Sequence, residues 1–109
     1  MILYTDRFVD AGAHASTRGP FIFVRPRYRD DVGLIEHEKV HRRQFFRVFV
    51  IHSFLYLLWP DYRYRAEVEA YKEQAKHYPD DRRPLFAQFI CTKYGLTVSY
   101  SDALAALRS

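Results

Sequence analysis

Cysteine is almost absent from this sequence: Cys91 is the single one in 109 residues. One cysteine cannot form an internal disulfide, and such low cysteine use is typical of a reducing compartment. The first ten residues place three charged side chains among apolar ones, and they lack the basic start and long apolar stretch of a signal peptide. The sequence therefore predicts a cytoplasmic protein.

Long hydrophobic runs are also missing. The most apolar segment, residues 45–59, has 15 residues and is interrupted by Arg47 and His52. A transmembrane helix needs roughly 20 consecutive apolar residues, so this segment is too short to span a bilayer. It predicts a buried central helix. The alternatives are a helix that lies on a membrane surface and a helix that binds a partner.

The chain has neither internal repeats nor low-complexity tracts, and its length fits one domain covering residues 1–109. Hydrophobic residues make up 49% of the chain, enough to bury a core without disulfides. Residues 20–28 are rich in strand formers and follow a turn signal at Gly19 and Pro20. Because Pro26 cannot donate to a sheet, this segment is predicted to be an edge strand that pairs with a strand near Ile2–Tyr4 or Phe8–Val9.

Helical segments are predicted for the rest of the chain. The first starts after Asp30 and Asp31 and extends as far as Leu58, before Trp59 and Pro60. The others cover about residues 62–77, 85–94 and 101–108, and Gly95 provides a left-handed cap. The predicted fold is α+β, a mostly helical single domain with a small N-terminal β-sheet or hairpin.

Arginine alternates with aromatic residues in three stretches, and the formal net charge is +4. Such stretches bind phosphate backbones and stack on bases, so nucleic acid is one alternative partner. The other interpretation is a solvated basic face. The three stretches are RPRYR (25–29), HRRQFFR (41–47) and YRYR (62–65).

The strongest motif is HEKVH at residues 37–41. On a helix, His37 and His41 are one turn apart and project from the same face, so that both can bind one metal ion. Glu38 lies beside them, where a carboxylate can take a proton from water at the metal. The alternative is that these are exposed polar residues of an ordinary helix.

A catalytic zinc ion usually has three protein ligands. A third histidine six residues after His41 is excluded, because Arg47 occupies that position. His52 would lie about 16 Å further along a continuous helix, at 1.5 Å per residue, and is predicted to be a core residue. A carboxylate from the next helix remains, and that helix contains Glu67, Glu69 and Glu73.

HEKVH followed by EVEAY (67–71) resembles the gluzincin branch of zinc metallopeptidases, in which a Glu from a later helix completes the site. The resemblance covers about residues 20–78 and implies a zincin-like core of two helices. It assigns the third ligand to Glu67 and makes Ala70 the small residue that lets the helices approach. Glu69 is the rival ligand. Tyr71 stands where the family pattern has an Asp that supports a metal-binding His.

The resemblance implies a zinc-dependent peptidase, a hydrolase that cleaves peptides or proteins. Zn²⁺ would lower the pKa of a water molecule, and Glu38 would take its proton during attack on the peptide carbonyl. The candidate donors to the resulting oxyanion are Tyr71, His77 and Tyr78.

Two further expectations concern the substrate. The edge strand at Phe21 to Arg25 could hold an extended peptide or could equally be a covered sheet edge. Arg25, Arg27 and Arg29 favour acidic substrates or partners. The alternative function is a non-catalytic basic helical module that binds nucleic acid, a protein partner or, through residues 45–59, a membrane surface.

Overall fold

The computed structural model describes the backbone of residues 1–48 and 51–109, with all their side chains except those of residues 48, 51 and 53. It confirms the α+β prediction: a small sheet at the N-terminus is followed by helices. The strands are β1 (Ile2–Tyr4), β2 (Ala15–Arg18) and β3 (Phe21–Val24), and the helices are α1 (Val32–Val48), α2 (Ile51–Leu58), α3 (Pro60–Ala75), α4 (Arg83–Lys93) and α5 (Tyr100–Arg108).

The sheet has the order β1-β3-β2, so the prediction that β3 is an edge strand is wrong. β3 pairs in parallel with β1 and antiparallel with β2, to which Gly19 and Pro20 connect it. Pro26 does not interrupt this pairing, because it lies beyond the end of β3 in a short 3-10 turn, Pro26–Tyr28. The strand that is paired on one side only and packs against α1 is β2.

Helix α1 begins where the acidic pair predicts it, since Oδ1 of Asp31 accepts a hydrogen bond from the backbone N–H of Leu34 at 3.0 Å. The predicted continuation of this helix to Leu58 falls partly on residues 49 and 50, which lie outside the described residues. Helix α2 ends at Leu58, and Pro60 occupies the first turn of α3, where a proline needs no N–H partner.

Helices α1 and α3 run antiparallel and are in extensive contact. At one end of the pair, the hydroxyl of Tyr78 donates to Oδ1 of Asp31 and accepts from Nε2 of Gln74, both at 2.8 Å. The ring of Tyr78 crosses α1 at Gly33, where a Cβ would lie 2.6 Å from its Cζ. A glycine is required at this position to let the ring approach.

Two hydrophobic clusters lie on either side of this helix pair. The sheet packs on the start of α1 through Ala15, Ile22, Val24 and Leu34. Helices α4 and α5 cover the other side of α3, and their cluster contains Tyr71, Phe86, Ala87, Ile90, Ala103 and Leu107. As predicted, Gly95 adopts a left-handed conformation after α4, with φ of 65°. The face of α1 that carries HEKVH therefore lies between two packed layers.

Helix α2 presents its apolar side to solvent. Phe54, Leu57 and Leu58 are 67, 69 and 79% exposed, so the prediction of a buried helix is wrong for this side. The inward side carries polar groups instead: Nδ1 of His52 lies 2.6 Å from the hydroxyl of Tyr62. Among the described residues, no helix is long and apolar enough to cross a membrane.

Candidate metal centre

The residues of HEKVH that carry polar chemistry point into the molecule. His37 and Glu38 are each 5% exposed. His41, on the next turn of α1, has 12% of its side chain exposed. Glu67 of α3 is 1% exposed and faces both histidines, with Ala66 and Ala70 buried beside it. Small side chains at these two positions allow α3 to approach α1 closely enough for the carboxylate to reach the imidazoles.

The three predicted ligands lie together, with their ligand atoms within 4.8 Å of one another. The Nε2 atoms of His37 and His41 are 3.2 Å apart, Nε2 of His37 lies 3.5 Å from Oε1 of Glu67, and Nε2 of His41 lies 3.3 Å from its Oε2. Ligands about 2.1 Å from one tetrahedral ion are about 3.4 Å apart. The observed separations fit that spacing, so the cluster could hold a metal ion.

Unsatisfied polar atoms at the same place support this fit. Oε1 of Glu67 is buried and has no hydrogen-bond partner among the described residues. A buried polar atom without a partner destabilises the fold unless something else satisfies it. A metal ion bound by two imidazoles and one carboxylate would do so, and this donor set suits a site that keeps a fourth position open.

Glu38 is held so that one carboxylate oxygen remains directed at the centre. Its Oε1 accepts a hydrogen bond from the hydroxyl of Thr17 in β2 at 2.7 Å. Its Oε2 lies 3.9 Å from Nε2 of His37. Oε2 has no other hydrogen bond among the described residues that would turn it away from the two imidazoles. The spacing of HEKVH gives no signal for Thr17, because β2 and α1 meet only in the folded chain.

His41 is oriented by a side chain of its own helix. Its Nδ1 lies 2.9 Å from Oε1 of Gln44, and Nε2 of Gln44 donates to the carbonyl of Ala66 at 3.1 Å and to Glu69 at 2.6 Å. These donations fix the amide so that its oxygen accepts from Nδ1–H of His41, which leaves Nε2 free to bind a metal. Gln44 thus supports His41.

Glu69 is not part of the cluster of ligand atoms. Its side chain is 45% exposed and lies 3.6 Å from Arg47 as well as bonding to Gln44. Because Glu67 and Glu69 lie on different faces of α3, only Glu67 reaches both imidazoles.

Tyr71, a candidate oxyanion donor, contacts His37 and Tyr94 in this structure. Its ring packs edge-on against His37, with centroids 4.4 Å apart, and its hydroxyl hydrogen-bonds to that of Tyr94. The other two candidates lie away from the cluster: Tyr78 bonds to Asp31, and His77 lies 3.6 Å from Glu73. Nδ1 of His37 is buried and has no hydrogen-bond partner in the part of the chain that the structure describes, in keeping with the absence of an Asp at position 71.

Tyr56 of α2 is a site residue that the sequence analysis missed. Its hydroxyl donates to Oε2 of Glu67. Burial, followed by the nearby Glu67 carboxylate, raises the pKa of Tyr56 well above its usual range, so the hydroxyl stays protonated. The available signal was the four-residue spacing of His52 and Tyr56, two polar side chains on one face of an otherwise apolar helix.

The metal-free cluster is itself an ion pair. Burial disfavours the protonated ring of His41, but the Glu67 carboxylate outweighs burial and raises the pKa of His41 to about 9. Burial likewise acts against the charge of Glu67, and the two imidazoles reverse this and lower its pKa well below the usual range. At neutral pH a proton on His41 therefore balances the carboxylate.

A two-part cleft opens over this cluster. Its first part, about 390 Å³, is lined by His37, His41 and Glu67 together with Thr17, Arg18, Gly19, Phe45 and His52. Its second part, about 710 Å³, extends past Gly12, His14, Arg63, Phe89 and Lys93. His37, Glu38, Tyr56 and Leu57 line both parts. Glu38 therefore lies in the wall that the two parts share.

No protein-family description matches the chain, and no curated protein or solved structure matches it. The resemblance to gluzincins therefore stays a prediction that rests on the two motifs.

Proposed function

We propose that this chain is a zinc-dependent peptidase of the gluzincin type. The observation that carries the proposal is the convergence of His37, His41 and Glu67, with Oε2 of Glu38 only 3.9 Å from Nε2 of His37. Several zinc peptidases hold the metal with two His and one Glu and leave a fourth position open, which supports Zn²⁺ as the metal. When bound, zinc would lower the pKa of a water molecule and polarise the scissile carbonyl.

The residues around the cluster would carry out the proton transfer, the positioning of the base and the stabilisation of the oxyanion. Glu38 takes a proton from the attacking water through Oε2, and later passes it to the departing amine. Thr17 holds Oε1 and so keeps Oε2 directed at the reacting water. Tyr56 lines both parts of the cleft and its hydroxyl stays protonated, so it would donate to the oxyanion by turning from Oε2 of Glu67, its partner in this structure.

An extended peptide is the substrate that the cleft fits best. β2 is paired on one side only, and its residues line the first part of the cleft. Main-chain groups on the unpaired side of a strand recognise extended peptides by strand addition. β2 therefore takes the role that the sequence suggested for Phe21 to Arg25, and Thr17 would bring the peptide next to Glu38.

The proposal is tested by metal content and cleavage together. Protein purified without a metal-affinity tag is examined by plasma mass spectrometry and then incubated with a peptide library, whose products are identified by mass. We expect about one zinc per chain and defined cleavage products that a chelator abolishes. Failure to retain zinc after dialysis against it would contradict the proposal, and so would zinc-loaded protein that cleaves nothing in the library.

Zinc binding is expected to depend on pH, because the metal must displace the proton held by His41. Since that pKa is about 9, uptake at pH 7 should release about one proton, and affinity should rise about tenfold per pH unit until pH approaches 9. Without metal, the stability of the fold depends on pH in the opposite direction. The proton on His41 stabilises the fold below pH 6.5, and this stabilisation is lost as pH rises through 9.

Calorimetric titration of zinc at pH 7 in buffers of different ionisation enthalpy measures this proton release. Equal apparent enthalpies, corrected for binding of zinc to the buffer, would contradict it.

A second candidate function, binding to a membrane surface, is supported by the exposed side of α2. Phe54, Leu57 and Leu58 follow the spacing of one helix face and are more than 60% exposed. Interfacial helices insert such a face among lipid headgroups, and Trp59 at the end of α2, 49% exposed, suits that boundary.

Substitution of Leu57 and Leu58 by Ser tests this candidate. We expect wild-type protein to sediment with vesicles of phosphatidylcholine and phosphatidylserine, and the double variant to remain largely in the supernatant. The matched control replaces Leu85, which is 44% exposed on α4, by Ser. Equal sedimentation of all three proteins would exclude α2 as the membrane-binding element.

A further inference from the structure

We infer that the second part of the cleft binds a carboxylate group of the substrate peptide, through Arg63 and Lys93. The inference rests on the proposed peptidase function and adds the chemistry of the substrate. It concerns the peptide segment on one side of the scissile bond, since Glu38 lies where the two parts of the cleft meet.

Arg63 is a half-buried cation without a carboxylate partner among the described residues. Its Nη1 donates to the carbonyls of Tyr56 and Leu57, at 3.0 and 3.1 Å, at the C-terminal end of α2. Its Nε is buried and has no acceptor within residues 1–48 and 51–109 as described. The two carbonyls use one of its nitrogens and supply only partial negative charge. The guanidinium therefore keeps most of its charge uncompensated.

Such a cation would be stabilised by an anion from outside the chain. Removing an arginine from water is unfavourable unless a counter-ion or several good acceptors replace the water. Arginine binds carboxylates with charge-assisted hydrogen bonds, which are stronger than those to neutral carbonyls. Because Arg63 lines the cleft, the missing negative charge can be supplied by a bound peptide.

Lys93 adds a second cation to the same part of the cleft. It lies in the last turn of α4, and its Nζ is 4.2 Å from the centroid of the Phe89 ring. No carboxylate lies within ion-pair distance of it among the described residues. An exposed lysine alone contributes little. Because Lys93 and Arg63 line the same part of the cleft, Lys93 adds a second positive charge to that part.

The first part of the cleft differs in this respect. Its arginine, Arg18, is already paired with Asp10 at 2.9 Å. The same pairing occupies Asp10, an acidic residue that lines both parts. The uncompensated charge is therefore concentrated in the second part, and this asymmetry gives the substrate a direction. Arg25, Arg27 and Arg29, which suggested acidic substrates in the sequence, do not line the cleft.

Two groups of a peptide supply the carboxylate: an Asp or Glu side chain and the C-terminus. The probes are therefore four pools of eight-residue peptides, which carry Glu or Gln at a scanned position and end in a free acid or an amide. Binding is measured by fluorescence anisotropy on zinc-loaded Glu38→Gln protein, which should not cleave them. We expect about tenfold tighter binding for the pools that supply the correct carboxylate, lost in high salt.

Variants locate the effect. Lys93→Gln should reduce the preference for carboxylate-bearing peptides about threefold, and Arg63→Gln should abolish it. Arg63→Lys keeps the charge and is the control for loss of the fold at the end of α2. The control is Lys76→Gln, which removes one charge from an exposed lysine that pairs with Glu73 outside the cleft. Equal binding of all four pools by the Glu38→Gln protein without a further substitution would overturn the inference. An equal loss of the preference in the Lys76 variant would overturn it too.

These outcomes separate the inference from the peptidase proposal. Cleavage without any preference for carboxylates would refute the carboxylate subsite and leave the peptidase standing. A strong preference in binding, without cleavage by the wild-type protein, would refute the peptidase and leave an acidic-peptide-binding site.

Discussion

Replacement of Glu38 by Gln is expected to lower kcat/KM for peptide hydrolysis by about 10³-fold, within the range found for a general base, while zinc remains bound. Gln has nearly the same shape, and its side-chain oxygen can still accept the hydrogen bond of Thr17. It cannot take a proton from water. The substitution therefore removes the proton transfer and leaves the packing of this buried position nearly unchanged.

The control for this variant is Glu36→Gln on the same helix. Glu36 forms an ion pair with Lys39 at 3.3 Å and lies outside the cleft. It should retain full activity and full zinc content. Activity is followed as product formation from a peptide that the wild-type protein cleaves, and zinc by plasma mass spectrometry. If Glu38→Gln stays within tenfold of wild type, Glu38 is not the general base.

The second large effect is expected from Glu67→Gln. This change removes the negative charge that faces both imidazoles, and a neutral amide is a poor zinc ligand. Changes to residues that only support a ligand weaken metal binding about 10–100-fold, so loss of a ligand should weaken it by at least about 100-fold. Stoichiometric zinc should then be lost on dialysis.

Glu69→Gln is the matched control, with the same chemical change two residues away. Its oxygen can still accept from Gln44, so zinc affinity should fall by less than about tenfold. Competition with a chromophoric chelator measures both affinities on the same scale. Equal losses in the two variants would contradict the assignment of Glu67 as the third ligand.

Local sequence patterns were sufficient to predict helix α1 and the shared face of its two histidines. His37 and His41 share a face because a helix repeats every 3.6 residues, and this holds whatever the helix packs against. The helix start at Asp31 and the left-handed Gly95 are local in the same sense. The choice of Glu67 over Glu69 came from a family resemblance, and α3 supports it by presenting only Glu67 to the imidazoles.

Features that depend on long-range packing were missed. Pro26 suggested an edge strand, but sheet order depends on how β1 returns to β3, and the proline lies beyond the pairing. The apolar character of residues 45–59 suggested burial, yet α2 turns Tyr56 inward to Glu67. Thr17 gains its role only from its contact with Glu38, and the amide of Gln44 is fixed only by its contacts with Ala66 and Glu69. No spacing within one segment reveals such partners.

Polar ties at both ends of the α1–α3 pair have a consequence for metal selectivity. Tyr78 ties α3 to Asp31, and Gln44 ties α1 to the carbonyl of Ala66, with the ligands between them. Sliding of one helix past the other by a turn, about 5.4 Å, would break both ties together. The packing of the two helices thus fixes the spacing of His37, His41 and Glu67 without a bound ion. Ca²⁺, which takes 6–8 oxygens at about 2.3–2.6 Å, would find too few ligands held too close together.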